Sequence, residues 1–247
     1  MASANMAQDL SEVDTVLLDI EGTICPIEFV RATLFPYAIQ ALPKVLREKW
    51  DDPDFKPYRD AFPAEARGSP DALEAHVKDL TEQDVKIAYL KNLQGYLWQE
   101  GYEKGSYSTP LFDDVVPTMQ KWHDKGLSNS IYSSGSVFAQ KLLFGHVKDK
   151  SSSNPGASIN RQDLIHEWFD TVNAGPKTQT GSYAKIAEAL VREPAKILFL
   201  SDNVTEVQAA MEAGMRTIVV ERPGNSPLLD EDRTVYQVVQ SLDQIDM

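Results

Sequence analysis

Polar side chains with useful chemistry stand at the ends of three apolar runs of the sequence. The run TVLLD ends on Asp19, NSIYSS ends on Ser133 and Ser134, and AKILFLSD ends on Asp202. A carboxylate can attack phosphorus, and serine hydroxyls can hydrogen-bond phosphate oxygens. Lys177, in the loop before a predicted helix, would add a positive charge against the developing oxyanion. These residue types suit phosphoryl transfer if the fold brings them together.

Phosphoryl transfer from a carboxylate nucleophile also calls for a cation, because a carboxylate and a phosphate dianion repel each other. Mg²⁺ prefers oxygen ligands and is commonly held by one or two carboxylates together with phosphate oxygens. Asp19 and Asp202 can supply those carboxylates, and the backbone N–H groups of the EGT loop, residues 21–23, can hydrogen-bond the phosphate. We therefore expect one Mg²⁺ per subunit at this position.

The elements that must position these residues form an alternating pattern of strands and helices. Runs that are apolar on both faces predict buried parallel strands at 15–19, 129–134, 195–202 and 216–221. Helical spacing and caps predict helices at 114–126, 136–147, 181–191 and 204–214. This alternation predicts an α/β fold with a doubly wound parallel sheet. Ligands of such sheets bind at the carboxyl ends of the strands, where the polar residues stand.

Residues 27–110 interrupt the alternation, since they show helical spacing and no convincing strand. We expect residues 1–26 and 111–247 to form a catalytic core, and residues 27–110 to form an inserted helical cap that closes over a substrate. Stretches suited to hinges lie near Cys25 and at 105–110. Residues 148–162 are predicted to be a mobile surface excursion.

Composition narrows the classes of partner and compartment. The 247 residues include 24 basic and 37 acidic ones, so the net charge of −13 disfavours nucleic acid as a partner. No long apolar run predicts a membrane span, and residues 1–14 lack secretory features and are expected to be a fraying polar tail. The four histidines are scattered, which disfavours a zinc site. The single cysteine, Cys25, suits a reducing cytoplasm. We expect a cytoplasmic monomer, small enough for the nucleus as well.

Three short motifs carry a family resemblance. LLDIEGT, IYSSGS and FLSDN resemble, in the same order, the first, second and fourth motifs of the haloacid dehalogenase superfamily of aspartate-nucleophile phosphatases. The helical insertion after the first motif matches the position of that superfamily's commonest cap. The usual first motif is DxDGT, but Glu21 stands in place of its second acid. Together with CPIEFV, FDDVVP, IYSSGSVFAQKLLFGH and VVERPGN, this glutamate makes residues 15–225 similar to the enolase-phosphatase family of methionine salvage.

The resemblance implies a fold, a substrate and a role for each site residue. The fold would be a Rossmann-like core with a helical cap. The substrate would be the phosphorylated diketone 2,3-diketo-5-methylthiopentyl 1-phosphate, which is enolised and dephosphorylated to acireductone through an aspartyl-phosphate. By position, Asp19 would be the nucleophile and a Mg²⁺ ligand, Glu21 a catalytic acid with metal contact, Ser133 and Ser134 the substrate-contact pair, Lys177 the phosphate-contact lysine, and Asp202 the remaining metal ligand.

Several alternatives stay open on the sequence. Our hypothesis for Glu21 is a proton shuttle for both enolisation and departure of the phosphate. Glu206, four residues after Asp202, is either a second acid near the metal or an ordinary residue of a first helical turn. Lys185 competes with Lys177 for the phosphate. The cap aromatics are interpreted mainly as core, with one or two possible pocket residues among Phe29, Phe35, Tyr37, Tyr89, Tyr96 and Trp98. A different phosphatase of the same superfamily and a catalytically silent scaffold are the competing functions.

Overall fold

The computed structural model describes residues 8–154 and 156–247. It divides into two compact units. The first contains the described residues of Met1–Ile27, Thr109–Lys148 and Ile159–Met247, and the second those of Glu28–Ser108 and Asp149–Ser158. The sequence analysis assigns residues 149–158 to the core, whereas the structure assigns the described ones among them to the second unit. The strands are β1 Thr15–Leu18, β2 Ser128–Tyr132, β3 Val147–Lys148, β4 Ser158–Ile159, β5 Glu167–Phe169, β6 Ile197–Ser201, β7 Arg216–Val220 and β8 Val238–Val239.

The first unit is built on a six-stranded parallel sheet with the order β5-β2-β1-β6-β7-β8. This confirms the predicted α/β fold and its parallel sheet. The strands β5 and β8 escaped the sequence analysis because they have only three and two residues. The chain runs outward from β1 through β2 to β5, then returns to the other side of β1 to form β6. The tip of β1 therefore lies at the topological switch point, where open α/β sheets bind ligands.

Register at the centre of the sheet places the three polar strand ends on one edge. Leu18 is level with Ile131 of β2 on one side and with Leu200 of β6 on the other. All four residues of β1 are buried because helices cover both faces of the sheet. Asp19, the serines after β2 and Asp202 therefore leave the sheet at the same edge.

The helices follow the predicted alternation in the first unit and fill the second. They are α1 Ile27–Phe29, α2 Phe35–Lys49, α3 Lys56–Asp60, α4 Pro70–Glu82, α5 Ala88–Glu103, α6 Val115–Asp124, α7 Val137–Gly145, α8 Thr180–Leu190, α9 Val204–Glu212 and α10 Asp230–Val235, with a π-helical turn at Val30–Leu34. None of the helices in the described part of the chain is long and apolar enough to cross a membrane.

The second unit is helical and has its own apolar core. Leu42, Phe55, Leu73 and Leu93 are completely buried there. Most of the aromatic residues singled out in the sequence pack against this core or each other: Tyr89 lies 4.5 Å from Phe62 between ring centroids, Tyr96 lies 4.6 Å from Tyr58, and Trp98 lies 6.1 Å from Phe35. Core packing therefore accounts for Phe35, Tyr89, Tyr96 and Trp98.

The predicted fraying tail is wrong for residues 8–14, whereas residues 1–7 lie outside the described part. Leu10 and Val13 are buried, and the N–H of Asp14 donates to the carbonyl of Lys196 at 3.1 Å. The side-chain amide of Gln8 donates to the carbonyl of Thr217 at 2.7 Å and accepts from its N–H at 3.2 Å. The two-residue strand β8 pairs only with the end of β7, so the backbone groups at Thr217 are left for Gln8.

A buried ion pair ties three segments of the first unit together. The guanidinium of Arg222 makes a two-pronged contact with the carboxylate of Asp114, at 2.7 and 3.0 Å. Its Nε donates to the carbonyl of Thr23 at 2.9 Å, and Nη1 also donates to that of Gln240 at 3.0 Å. The N–H of Leu242 donates to Asp114 at 2.6 Å. The loop after β1, the segment before α6 and the C-terminal segment are thus joined at one point.

We predict that the Asp114→Asn variant loses about 3 kcal/mol of unfolding free energy at pH 7, because it leaves a buried guanidinium without its counter-charge. Burial raises the pKa of Asp114, but hydrogen bonds from Arg222 and Leu242 outweigh it and hold the pKa below its usual value. The stabilisation is therefore present above the unfolded pKa and is lost as the pH falls through the folded pKa. Urea unfolding of the wild type and the variant, at pH 7 and in acid, measures the difference in unfolding free energy.

The matched control is Asp163→Asn, which changes an exposed carboxylate of the same unit. It should change the unfolding free energy by less than about 0.5 kcal/mol. A deficit of the Asp114→Asn variant that stayed constant from pH 7 to the acid limit would contradict the ionic role of this pair.

Candidate active site

Asp19 is held rigidly at the tip of β1. Its N–H donates to the carbonyl of Leu200 at 2.9 Å, so β6 fixes its backbone. Its side chain is buried. One carboxylate oxygen, Oδ1, lies 2.5 Å from the ammonium of Lys177, and Oδ2 accepts a hydrogen bond from the hydroxyl of Thr23 at 3.2 Å. Lys177 and Thr23 therefore orient the two carboxylate oxygens of Asp19.

The loop after Asp19 needs glycine at position 22, three residues after the aspartate. Gly22 has a φ of +79°, in the left-handed region, and its N–H donates to the carbonyl of Cys25 at 2.7 Å. A Cβ atom there would lie 2.4 Å from Oδ2 of Asp202, which no structure tolerates. The side chain of Asn225 donates to the Gly22 carbonyl at 2.9 Å. Glycine thus lets the loop lie directly against the Asp202 carboxylate.

Thr23 connects the tips of β1 and β6 and was missed as a site residue. Its fully buried hydroxyl donates to Asp19 and accepts from the N–H of Asp202 at 3.0 Å. The signal in the sequence is the Gly-Thr pair after the acids, for which the sequence predicts a role of the backbone N–H groups but not of the threonine hydroxyl. Arg222 and Asn225, in the quoted segment VVERPGN, were also missed, and they hold the carbonyls of Thr23 and Gly22.

Lys177 brings a third carboxylate into the cluster. Its buried ammonium lies 2.6 Å from Oε2 of Glu206 as well as 2.5 Å from Asp19. The hydroxyl of Ser201 donates to the same Glu206 oxygen at 2.9 Å. Glu206 is in the first turn of α9, but its carboxylate points into the site. Lys185, the competing lysine, is exposed on α8.

The charges of this cluster are unbalanced. Burial, followed by the negative charges of Asp19 and Glu206, raises the pKa of Asp202 to about 7 against the opposing charge of Lys177. Burial also raises the pKa of Glu206. Burial lowers the pKa of Lys177, but Asp19 and Glu206 outweigh this effect and raise it, so the ammonium stays charged. Three carboxylates thus share one ammonium, and a further cation would relieve their repulsion.

The serines after β2 lie at the same edge of the sheet. Ser133 is buried, its N–H donates to the carbonyl of Phe169 at 3.1 Å, and its hydroxyl accepts from the N–H of Gly135 at 3.3 Å. Ser134 is half-buried. Helix α7 begins directly afterwards, capped by Ser136. The serine pair is therefore held between a strand end and a helix start.

Two other residues of the sequence analysis lie in the loop after Asp19. Glu21 is half-buried and forms an isolated bridge with Cys25. Cys25 is completely buried, and burial raises the pKa of its thiol. The thiol therefore stays protonated and is a poor nucleophile. The carboxylate of Glu21 remains the available acid or base of this loop.

The oxygen ligands of this site suit a magnesium ion whose coordination is completed by water and substrate, rather than a metal held by protein ligands alone. No three His, Cys, Asp or Glu side chains within residues 8–154 and 156–247 are arranged to hold a metal ion together. Asp19, Glu21 and Asp202 are therefore not a closed ligand set by themselves. Mg²⁺ typically keeps several waters and takes one or two carboxylates plus substrate oxygens. Asp19 and Asp202, which Thr23 links through the carboxylate of Asp19 and the backbone N–H of Asp202, suit that requirement.

Comparisons with known proteins agree with this geometry. The family model described as haloacid dehalogenase-like hydrolase matches residues 13–214. The protein named enolase-phosphatase E1 from Verticillium alfalfae is 54% identical over 98% of this chain and 94% of its own length. The one from Podospora anserina is 55% identical over 93% and 96%. The crystal structure of UTR4 protein from Saccharomyces cerevisiae has a TM-score of 0.83 at 38% identity, covering 94% of this chain and all of that one. The chain therefore belongs to the haloacid dehalogenase-like hydrolases and, within them, to the enolase-phosphatase E1 family.

Proposed function

We propose that this protein is a phosphatase of methionine salvage that converts 2,3-diketo-5-methylthiopentyl 1-phosphate to acireductone. The observation that carries the proposal is the match, over nearly the whole chain, to relatives named enolase-phosphatase E1. The strand-tip cluster alone would suit any phosphatase of the superfamily, so the choice of substrate rests on those relatives.

In this proposal, Asp19 performs the phosphoryl transfer. One carboxylate oxygen attacks phosphorus, the bond from phosphorus to the ester oxygen breaks, and an aspartyl-phosphate forms. Water then hydrolyses it and restores Asp19. The ammonium of Lys177 is close enough to Asp19 to balance charge on the transferring phosphoryl group, and Ser133, Ser134 and the N–H groups of residues 21–23 supply hydrogen bonds to it.

We further propose that Asp19 and Asp202 hold Mg²⁺, with a contact from Glu21. Bound there, Mg²⁺ would reduce the repulsion between carboxylate and phosphate and polarise the substrate oxygens. The raised pKa of Asp202 supports this assignment, because it reflects a carboxylate that is buried and is repelled by Asp19 and Glu206.

For enolisation, we propose Glu21 as the proton shuttle. A carboxylate can remove a proton from the carbon beside a diketone, whose C–H is acidic. The same group can then return that proton to the oxygen that leaves phosphorus. The position of Glu21, half-buried in the loop between Asp19 and Thr23, supports this assignment.

The function is tested by turnover of the diketone phosphate, with phosphate and the dihydroxy-enone product followed separately. We expect both products in the presence of Mg²⁺, and a loss of more than about 1,000-fold in the Asp19→Asn variant. The exposed-site variant Asp163→Asn should keep full activity. Phosphate release without the dihydroxy-enone would indicate another phosphatase of the superfamily, and no release at all would indicate a silent scaffold.

The role of Glu21 predicts that the Glu21→Gln variant loses both enolisation and phosphate release, by about 100-fold or more, because an amide cannot carry the proton. Stopped-flow absorbance of the enol and a phosphate assay measure the two steps. The control is Glu188→Gln on the exposed face of α8. Full activity of Glu21→Gln in both steps would rule out the shuttle.

The metal assignment makes a prediction that needs no turnover. The folded pKa of Asp202, about 7, lies above the ordinary value of 3.8 for an aspartate side chain. Its contribution to stability is therefore present below pH 3.8 and is lost as the pH rises through 7. In chelator at pH 8, we expect the Asp202→Asn variant to melt at a higher temperature than the wild type. Excess Mg²⁺ should stabilise the wild type, by about 2.7 kcal/mol at 100 times its Kd, and not the variant.

Equal stabilisation of both proteins by Mg²⁺ would contradict the assignment of Asp202 as a ligand. Ca²⁺ and Na⁺ at matched ionic strength control for screening of the carboxylates.

Finally, we propose that the protein is a cytoplasmic monomer that is small enough to enter the nucleus. Sedimentation would test the oligomeric state, and cell fractionation would test the location.

A further inference from the structure

The loop that presents Lys177 is held by hydroxyl groups. Residues 175–177 lie between the end of β5 and the start of α8, in a turn where the carbonyl of Pro176 also accepts from the N–H of Gln179 at 3.1 Å. Each of these three consecutive carbonyl oxygens accepts a hydroxyl: Gly175 from Tyr132 at 2.8 Å, Pro176 from Ser182 at 2.8 Å, and Lys177 from Tyr183 at 2.7 Å. The donors come from β2 and α8, so the loop is tied to two elements of the core.

The backbone of this loop is unusual enough to need such support. Gly175 has a φ of +116°, which disfavours a side chain. A Cβ atom there would lie 2.6 Å from the hydroxyl oxygen of Ser182. Pro176 has no N–H and fixes its own φ. The loop therefore passes close to α8 in a conformation that the three hydroxyls define.

The ring of Tyr132, which carries one of these hydroxyls, and the ring of Phe199 also lie near the ammonium of Lys177. Nζ lies 5.6 Å from the ring centroid of Tyr132 and 5.9 Å from that of Phe199. The ring of Tyr183 packs edge-on against both, at 5.5 and 5.1 Å. The rings of Tyr132 and Phe199 thus lie near the ammonium, where cation–π attraction stabilises the charge, and the ring of Tyr183 supports both of them.

We propose that Tyr132, Ser182 and Tyr183 are positioning residues that act through Lys177, and that this set of hydroxyls aims its ammonium at the phosphoryl group. The inference rests on the proposed phosphatase function. Four rotatable bonds separate the ammonium of a lysine from its backbone, so a loose backbone would spread the charge over many positions. A displacement of about 1 Å can cost about 100-fold in rate.

Tyr183→Phe removes one hydroxyl and keeps the ring, which makes it the cleanest variant. Because the ammonium acts on charge that develops during transfer, we expect kcat to fall about 10-fold while KM changes less than about 3-fold. Ser182→Ala should behave in the same way. The double variant Tyr183→Phe/Ser182→Ala should fall further than either.

A double-mutant cycle with Lys177→Ala distinguishes positioning from general loss of structure. If the hydroxyl acts through the lysine, Tyr183→Phe has no further effect in the Lys177→Ala background. An equal fold-decrease in both backgrounds, or no decrease in either, would overturn the proposal. The matched control is Tyr107→Phe, which removes a Tyr hydroxyl that donates to the carbonyl of Trp98 at 3.0 Å in the second unit. Its effect should be the same in both backgrounds.

Binding of inorganic phosphate, measured by calorimetry, separates this inference from the choice of substrate. Phosphate is the product of every phosphatase in the superfamily. We therefore expect coupling of the same sign between Tyr183 and Lys177 in its Kd, smaller than in kcat because free phosphate lacks the charge that develops during transfer, even if the diketone phosphate is not turned over. Additive effects on the phosphate Kd would overturn the positioning role, whereas coupling without turnover of the diketone would overturn only the proposed function.

Discussion

The buried contact between the ammonium of Lys177 and the carboxylates of Asp19 and Glu206 is the interaction on which the rest of the site depends. A buried charge without an opposite charge beside it has a high free energy. The charged forms of these three side chains therefore depend on one another. Burial raises the pKa of Asp202, and the excess of negative charge that this contact leaves raises it as well. The same arrangement therefore orients Asp19, the proposed nucleophile, and creates the demand for a cation.

The parallel sheet makes this contact possible. At the switch point beside β1, strand ends from distant parts of the sequence meet, so Asp19 and Asp202 lie on adjacent strands although 183 positions separate them. Thr23 links them through one hydroxyl, and Arg222 holds the carbonyl of Thr23 from the end of β7. Ion pairing to Asp114 fixes Arg222 in turn. The contacts that support Asp19 thus extend from the carboxylate cluster to the C-terminal segment.

Hydroxyl groups perform much of this positioning. Thr23 orients Asp19, Ser201 orients Glu206, and the three donors around residues 175–177 bind the carbonyls of that loop. A neutral hydroxyl orients a charged neighbour without adding charge to a site that already carries too much. This explains why polar residues other than acids and bases are buried so close to the carboxylates.

The sequence by itself determined the fold class and the identity of the strand-tip residues. Apolar runs of four or more residues ending in Asp19 and Asp202 are local patterns, and local patterns can be recognised from spacing alone. The strands β5 and β8 were not recognised, because two or three residues carry no periodicity. The sequence analysis also missed that residues 8–14 are ordered, because Gln8 forms its hydrogen bonds with residues more than 200 positions away.

Only the tertiary structure decided which residues support the site. The bond from Arg222 to Thr23, the carboxylate of Glu206 beside Lys177 and the three hydroxyls at 175–177 all join segments that the sequence keeps apart. Hydrogen bonds of this kind depend on distances within about 3 Å, and no spacing rule along a chain predicts them. The sequence therefore names the groups that can do the chemistry, whereas packing selects the groups that hold them in place.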